Sequence, residues 1–202
     1  MKKLDNSVEL YERKKEMSNH KCIGDKNNFA IQYIFLQESH ETILFMYVNG
    51  RNILEFKRCE KILTTKWNID DLVLWLRTFI DEVEEETFPF ECEGTFAADK
   101  DDKVRDFDTD DDEIFEKHYQ QLYEWERKHR WHSVSNGAIL ADVFFQKIND
   151  MVEISWDNRS EYSDIEFSEM IGGAYVPIDY FNKIINEFLR DYANYWYPYI
   201  EE

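Results

Sequence analysis

The dipeptide Asn49-Gly50 constrains this chain more than any other feature, because it sits between two apolar runs within residues 42–57, TILFMYVNGRNILEFK. Both residues tolerate the positive φ that a type I′ turn requires, so the segment reads as a β-hairpin. Residues 139–156, ILADVFFQKINDMVEISW, repeat the pattern and turn at Asn149-Asp150. Residues 29–37, FAIQYIFLQ, add a further strand rich in β-branched and aromatic residues. A hairpin fixes antiparallel pairing, so whatever helices the chain has must pack on antiparallel sheet.

Three helices follow from apolar spacing at three and four residues. Over 67–83, Asn68 or Asp70 can cap, and Ile69, Leu72, Leu76, Phe79, Ile80 and Val83 share a face. Over 113–130, Phe115, Tyr119 and Leu122 form a stripe. Pro177 suits the opening of a last helix running to about Tyr195, with Ile178, Phe181, Ile185, Phe188, Leu189 and Tyr192 inward. Residues 1–28 are polar, with a short helix over 8–17 and a turn at 24–28. Residues 84–112 lack any period and read as an exposed acidic loop containing at most a short strand. Residues 133–137 are a break, and 158–173 a long polar connection. The expectation is a single α+β domain spanning 1–202, with an antiparallel sheet of two hairpins and helices on one face.

The halves align, Asn49 over Asn149, and Ile69, Leu72, Leu76, Phe79 and Ile80 over Ile178, Phe181, Ile185, Phe188 and Leu189. An internal duplication gives this pattern, and so do any two hairpins each followed by an amphipathic helix.

Charge narrows the function classes. The net charge is −19, and residues 81–116 alone hold 17 acidic and 3 basic residues, a net of −14. The acidity is therefore local rather than a general coat. Such a field repels nucleic acid and anionic membrane and attracts basic proteins. No apolar run reaches the roughly 18 residues of a membrane span, and none follows Lys2-Lys3 as in a signal peptide. The three cysteines, Cys22, Cys59 and Cys92, form no CxxC pair and read as reduced thiols, giving a cytoplasmic address.

Catalytic and metal patterns are weak. Asp106, Asp108 and Asp110 open like a calcium loop, but Asp111 and Lys117 stand where Gly and Glu belong. His118, His129 and His132 lie along one helix without an HExxH motif, a stripe that reads as half-buried packing. No nucleophile elbow or phosphate loop occurs, and no cofactor is expected. Glu153, near Asp157, is the least ordinary acid, although a strand glutamate facing solvent is the default. The aromatic run from Tyr192 to Tyr199 reads as closing the core edge. Trp156-Asp157-Asn158-Arg159 ends a strand where contacts often lie.

In size, acid excess, aromatic-rich helices and the stretch Val152-Glu153-Ile154-Ser155-Trp156-Asp157-Asn158 before a terminal helix, the chain resembles the small acidic immunity proteins of bacterial polymorphic and contact-dependent toxin systems. The resemblance implies a cytosolic protein that binds and blocks one cognate toxin, often a basic nuclease. Charge alone nominates the partner-binding residues: Asp99, Asp101, Asp102, Asp106, Asp108, Asp110, Asp111 and Asp112 as charge donors, with Tyr119, Tyr123 and Trp125 as anchors. The alternatives are an enzyme with an unrecognised acid and histidine site, which requires those histidines and nearby carboxylates to converge in one pocket, or a DNA mimic or scaffold.

Overall fold

The computed structural model describes residues 20–135, 137–159 and 164–197, with only the backbone of His132 and Ser133. The helix expected over 8–17, Asn136 of the break and Tyr199 lie outside the described residues.

The fold is α+β, with three small antiparallel sheets. The first contains β1 (His20–Gly24), β2 (Phe29–Leu36), β3 (Glu41–Val48) and the two-residue β4 (Arg51–Asn52), with β7 (Lys66–Trp67) also on β3. The second contains β10 (Glu166–Phe167), β5 (Glu55–Arg58) and β6 (Lys61–Thr64). The third is β11 (Ile171–Pro177), β9 (Met151–Asp157) and β8 (Val143–Ile148). Four helices complete the described chain: α1 (Asp70–Asp81), α2 (Ala97–Val104), α3 (Asp112–His129) and α4 (Ile178–Trp196).

At the first turn Asn49 and Gly50 take φ of 51° and 81°. The return strand then stops after Asn52. Its side-chain Oδ1 accepts from the amides of Met46 and Leu54, each at 3.3 Å, and Ile53 and Leu54 turn into the core. The chain resumes as β5 in a different sheet. The second hairpin keeps full register, Ile148 opposite Met151 through Val143 opposite Trp156.

The strand pair β8–β9 is buried along most of its length on both faces. Phe145 points to the main core, against Trp75 and Phe79 of α1, Trp131, and Phe181 of α4. Its neighbour Phe144 points the other way, into a second cluster with Phe88, Ala97, Ala98, Leu122 and Trp125. Continuous burial of adjacent residues is the mark of a sheet covered on both sides. Helices thus lie on both faces of the third sheet, not on one.

α4 packs against β1, β2, β9 and β11. Phe181 stacks on Phe29 at 5.2 Å, and Phe188 meets Tyr33 at 5.1 Å. The tail closes the core edge, with Tyr195 and Trp196 against Phe35. α1 is shorter than expected because Trp67 joins β7, buries its ring and donates to the Val134 carbonyl. The N-cap is Ile69, which supplies no side-chain cap, rather than Asn68 or Asp70; Asn68 Oδ1, one residue earlier, accepts only from the Asp70 amide at 2.9 Å.

Two segments differ outright. The polar connection 158–173 contains β10 and the start of β11. The expected loop 84–112 contains α2, and Phe88, Ala97 and Ala98 are core. No helix among the described residues is long and apolar enough to cross a membrane.

Candidate partner-binding surface

The acidic segment divides at Arg105. From Asp99 to Asp102, just before it, the carboxylates serve the fold. α2 has few apolar residues to hold it in place, and acceptors hold its first amides. Asp99 accepts from the Thr95 and Phe96 amides, at 3.2 and 3.1 Å. The Ala97 amide donates to Glu153 Oε1 at 2.6 Å, and that of Ala98 to Ser155 Oγ at 3.2 Å. These amides have no partner within a helix, and burying them without acceptors would be costly. Glu153 thus reaches from β9 to the positive end of α2 and is buried, not solvent-facing. Burial pushes its carboxyl above the ordinary glutamate range, against the pull of the Ala97 amide and Ser155 hydroxyl.

Asp101 is only 3% exposed and pairs with Arg105 one turn on. Arg105 also meets Glu126 Oε1 at 2.6 Å. Arg130 meets the same Glu126 oxygen at 3.0 Å, and both oxygens of Asp142 at 2.5 and 2.6 Å. This chain of charges ties α2 to α3 and α3 to the residue before β8. It holds three carboxylates against two guanidiniums, and Asp101 Oδ1 has no hydrogen-bond partner among the described residues. Burial raises the Asp101 pKa, Arg105 opposes the shift and Glu126 adds to it. Asp102 is exposed and pairs with Arg159 at 3.0 Å, which also holds Asp157. Asn158 Oδ1 accepts from the Asp142 amide at 2.7 Å, so the loop after β9 is wired inward. Asp101 is therefore structural rather than a surface charge donor, Asp99 is used as a cap, and Asp102 is compensated.

Past Arg105 the pattern reverses. Asp106, Asp108, Asp110, Asp111, Asp112, Glu113 and Glu116 are all exposed. Among the described residues no cation forms an ion pair with any of them. Asp111 alone has a local role, its Oδ1 accepting from the Glu113 and Ile114 amides at the start of α3.

α3 buries His118, Leu122, Trp125 and His129. Trp125 is 2% exposed, stacked on His129 and edge-on to Phe88. It belongs to the chain's own second cluster and is no surface anchor. Phe115, expected inward, is 40% exposed and packs on Tyr119 at 4.7 Å. Tyr119 is half-buried, its hydroxyl donating to the Arg105 carbonyl at 2.6 Å with the Phe107 carbonyl at 3.1 Å. Tyr123, one turn further, is 66% exposed. At about 3.6 residues per turn, Phe115, Tyr119 and Tyr123 form a ridge flanked by Asp112 and Glu116. The exposure of Phe115 was not legible in the sequence because its seven-residue spacing to Leu122 sets it on the same stripe as that buried residue.

The histidines do not converge. His118 lies flat between Phe90 and Phe107, at 4.2 and 4.1 Å, and Nε2 donates to the Val104 carbonyl at 2.9 Å. His129 is wholly buried, Nδ1 donating to the Phe145 carbonyl at 2.9 Å. The His132 side chain lies outside the described residues. Among the described residues no group of three or more His, Cys, Asp or Glu is placed to hold a metal ion.

No family model, curated protein or solved structure matches the chain significantly.

Proposed function

We propose that this chain is an acidic binding protein that blocks a basic protein partner, as an immunity protein blocks its cognate toxin. One observation carries the reading: seven exposed carboxylates between Asp106 and Glu116 lack a counter-cation among the described residues and border an exposed aromatic ridge. Like charges held this close repel, a cost that a basic surface would relieve. Exposed aromatics beside them supply what charge does not, since charge sets encounter rate and partner choice while buried aromatics give affinity. The participants are Asp106, Asp108, Asp110, Asp111 and Asp112 with Glu113 and Glu116, around Phe115, Tyr119 and Tyr123. A cytoplasmic site of action is part of the proposal, supported by three free thiols.

The test is capture from native-host lysate at low and high salt, with the wild type and a variant carrying Asn at 106, 108, 110, 111 and 112. Asn at 111 preserves the cap. A basic protein held by the wild type at low salt, lost by the variant, and inhibited when the purified wild type is added back is the expected result. A captured protein that both baits retain equally, or whose activity the wild type leaves untouched, overturns the reading.

A further inference from the structure

A second surface lies on the other flank of α3, where Lys128 and the end of α1 face each other across a cleft of about 770 Å³. That is within the range, about 300–1,000 Å³, of small-molecule pockets. Its apolar lining includes Trp75, Phe79 and Val83 of the α1 region. Trp75 and Phe79 stack with rings 5.5 Å apart and 15° from parallel, and the Trp75 indole is fixed by donating to the Arg127 carbonyl at 3.3 Å. Leu74 stands at the mouth, 64% exposed.

The walls are acidic where acid is least favoured. Glu82, Glu84, Glu85 and Glu86 follow directly on the C-terminal end of α1, whose last turn has no basic residue. A helix C-terminus is a partial negative charge, so carboxylates there deepen the negative potential rather than relieve it. Lys147 reaches this end but donates to the Ile80 and Val83 carbonyls, at 2.9 and 2.6 Å. Lys128 pairs with Glu86 at 2.8 Å. Glu82, Glu84 and Glu85 form no ion pair among the described residues.

Behind this wall, His129 spends its Nδ1 proton on the Phe145 carbonyl, and burial lowers its pKa, leaving Nε2 as an acceptor. That Nε2 lies 3.5 Å from Glu86 Oε2 and has no hydrogen-bond partner among the described residues. The cleft lining itself holds five carboxylates, Asp71 with the four glutamates, against two cations, Arg127 and Lys128, beside an aromatic floor.

We propose that this cleft takes an arginine side chain from a basic protein segment. A guanidinium is flat, stays charged, brings five donors and stacks on an indole face. A lysine brings a compact, strongly hydrated charge that gains less from Trp75. The site is separate from the 106–116 acidic surface, and the inference does not rest on that surface binding anything.

The probe is N-acetyl tetra-arginine amide, titrated at low salt into the full chain. The readout is the indole N–H resonance of Trp75 in two-dimensional NMR spectra, assigned with Trp75→Phe. The expected result is a saturable shift that Glu82→Gln/Glu84→Gln/Glu85→Gln weakens about tenfold or more in affinity. Tetra-lysine should bind several-fold more weakly, and Asp108→Asn/Asp110→Asn/Asp112→Asn should leave the Trp75 response unchanged. A shift that does not saturate, that survives the triple glutamine variant, or that tetra-lysine produces equally well overturns the proposal. All six substituted carboxylates are exposed, so misfolding does not confound either variant.

Discussion

Asp101 and Asp110 lie nine residues apart in one acidic segment, and the fold treats them as opposites. The first is buried, paired with Arg105 and part of a charge chain reaching Asp142. The second is exposed and has no ion pair among the described residues. What separates them is company. Asp101 has an arginine one helical turn away and a sheet beneath it, while 106–116 contains no arginine. Charge density along a sequence therefore marks two different things, a buried lattice and a bare surface.

The contrast can be broken by substitution. The largest effect belongs to the aromatics. Trp125→Ala in the second cluster and Phe188→Ala in the main core should each cost about 3–5 kcal/mol in urea unfolding. Tyr123→Ala, two residues from Trp125, should stay within about 0.5 kcal/mol. Equal losses at 123 and 125 would erase the division of α3 into a buried face and a ridge.

Next comes Glu153→Ala, which strips the acceptor from the Ala97 amide and should cost about 1–3 kcal/mol. Hydrogen exchange should quicken in α2 before it does in α3. Unchanged protection there would mean that α2 is held by packing alone.

A smaller effect is one of pH. Folding raises the Asp101 pKa above its ordinary 3.8, so the folded state binds that proton more tightly than the unfolded state. Its contribution to stability is then greatest below pH 4 and declines as pH rises through the raised value. Glu86, Asp157 and Asp191 are shifted downward and act in the opposite sense, favouring the fold above their ordinary range. The difference between wild type and Asp101→Asn isolates the one group. The variant should gain on the wild type as pH climbs from 4 to 8, and a flat difference would place Asp101 outside the strained part of the lattice.

The smallest effect is expected from the aspartates beside the ridge. Asn at 106, 108, 110, 111 and 112 should change unfolding stability by no more than about 0.5 kcal/mol, with relief of repulsion favouring the variant. A loss of several kcal/mol would mean these aspartates hold the fold as Asp101 does.

Much of the frame was legible in the sequence. Asn149-Asp150 marked a hairpin that keeps full register, and the spacing through Phe181, Ile185 and Phe188 marked the buried face of α4. Pro177 marked its start to within one residue. Local patterns sufficed there because turn chemistry and apolar spacing are themselves local.

α2 escaped because its signal is not. AADKDDKV has only three apolar residues, and the helix is fastened by Glu153 and Ser155 from a strand more than fifty residues away. β11 escaped because Gly172 and Gly173 argue against a strand. They are needed for close approach: a Cβ at 172 would lie 2.5 Å from the Trp156 ring, and one at 173 would lie 2.7 Å from that of Phe96. The first hairpin misled for a third reason, since burial of Ile53 and Leu54 diverts the chain after two paired residues. The acidic surface was legible as a region but not by residue. Arg105 lies one turn from Asp101 and directly beside Asp106, so its presence in the sequence does not tell the buried aspartate from the exposed one.

The most direct measurement is the association rate of the captured basic partner with the wild type and with the five-asparagine variant, across a range of salt. The account predicts a rate about tenfold or more lower for the variant at low salt, with the two converging at high salt. Equal rates at low salt would contradict it and remove residues 106–116 from the interface.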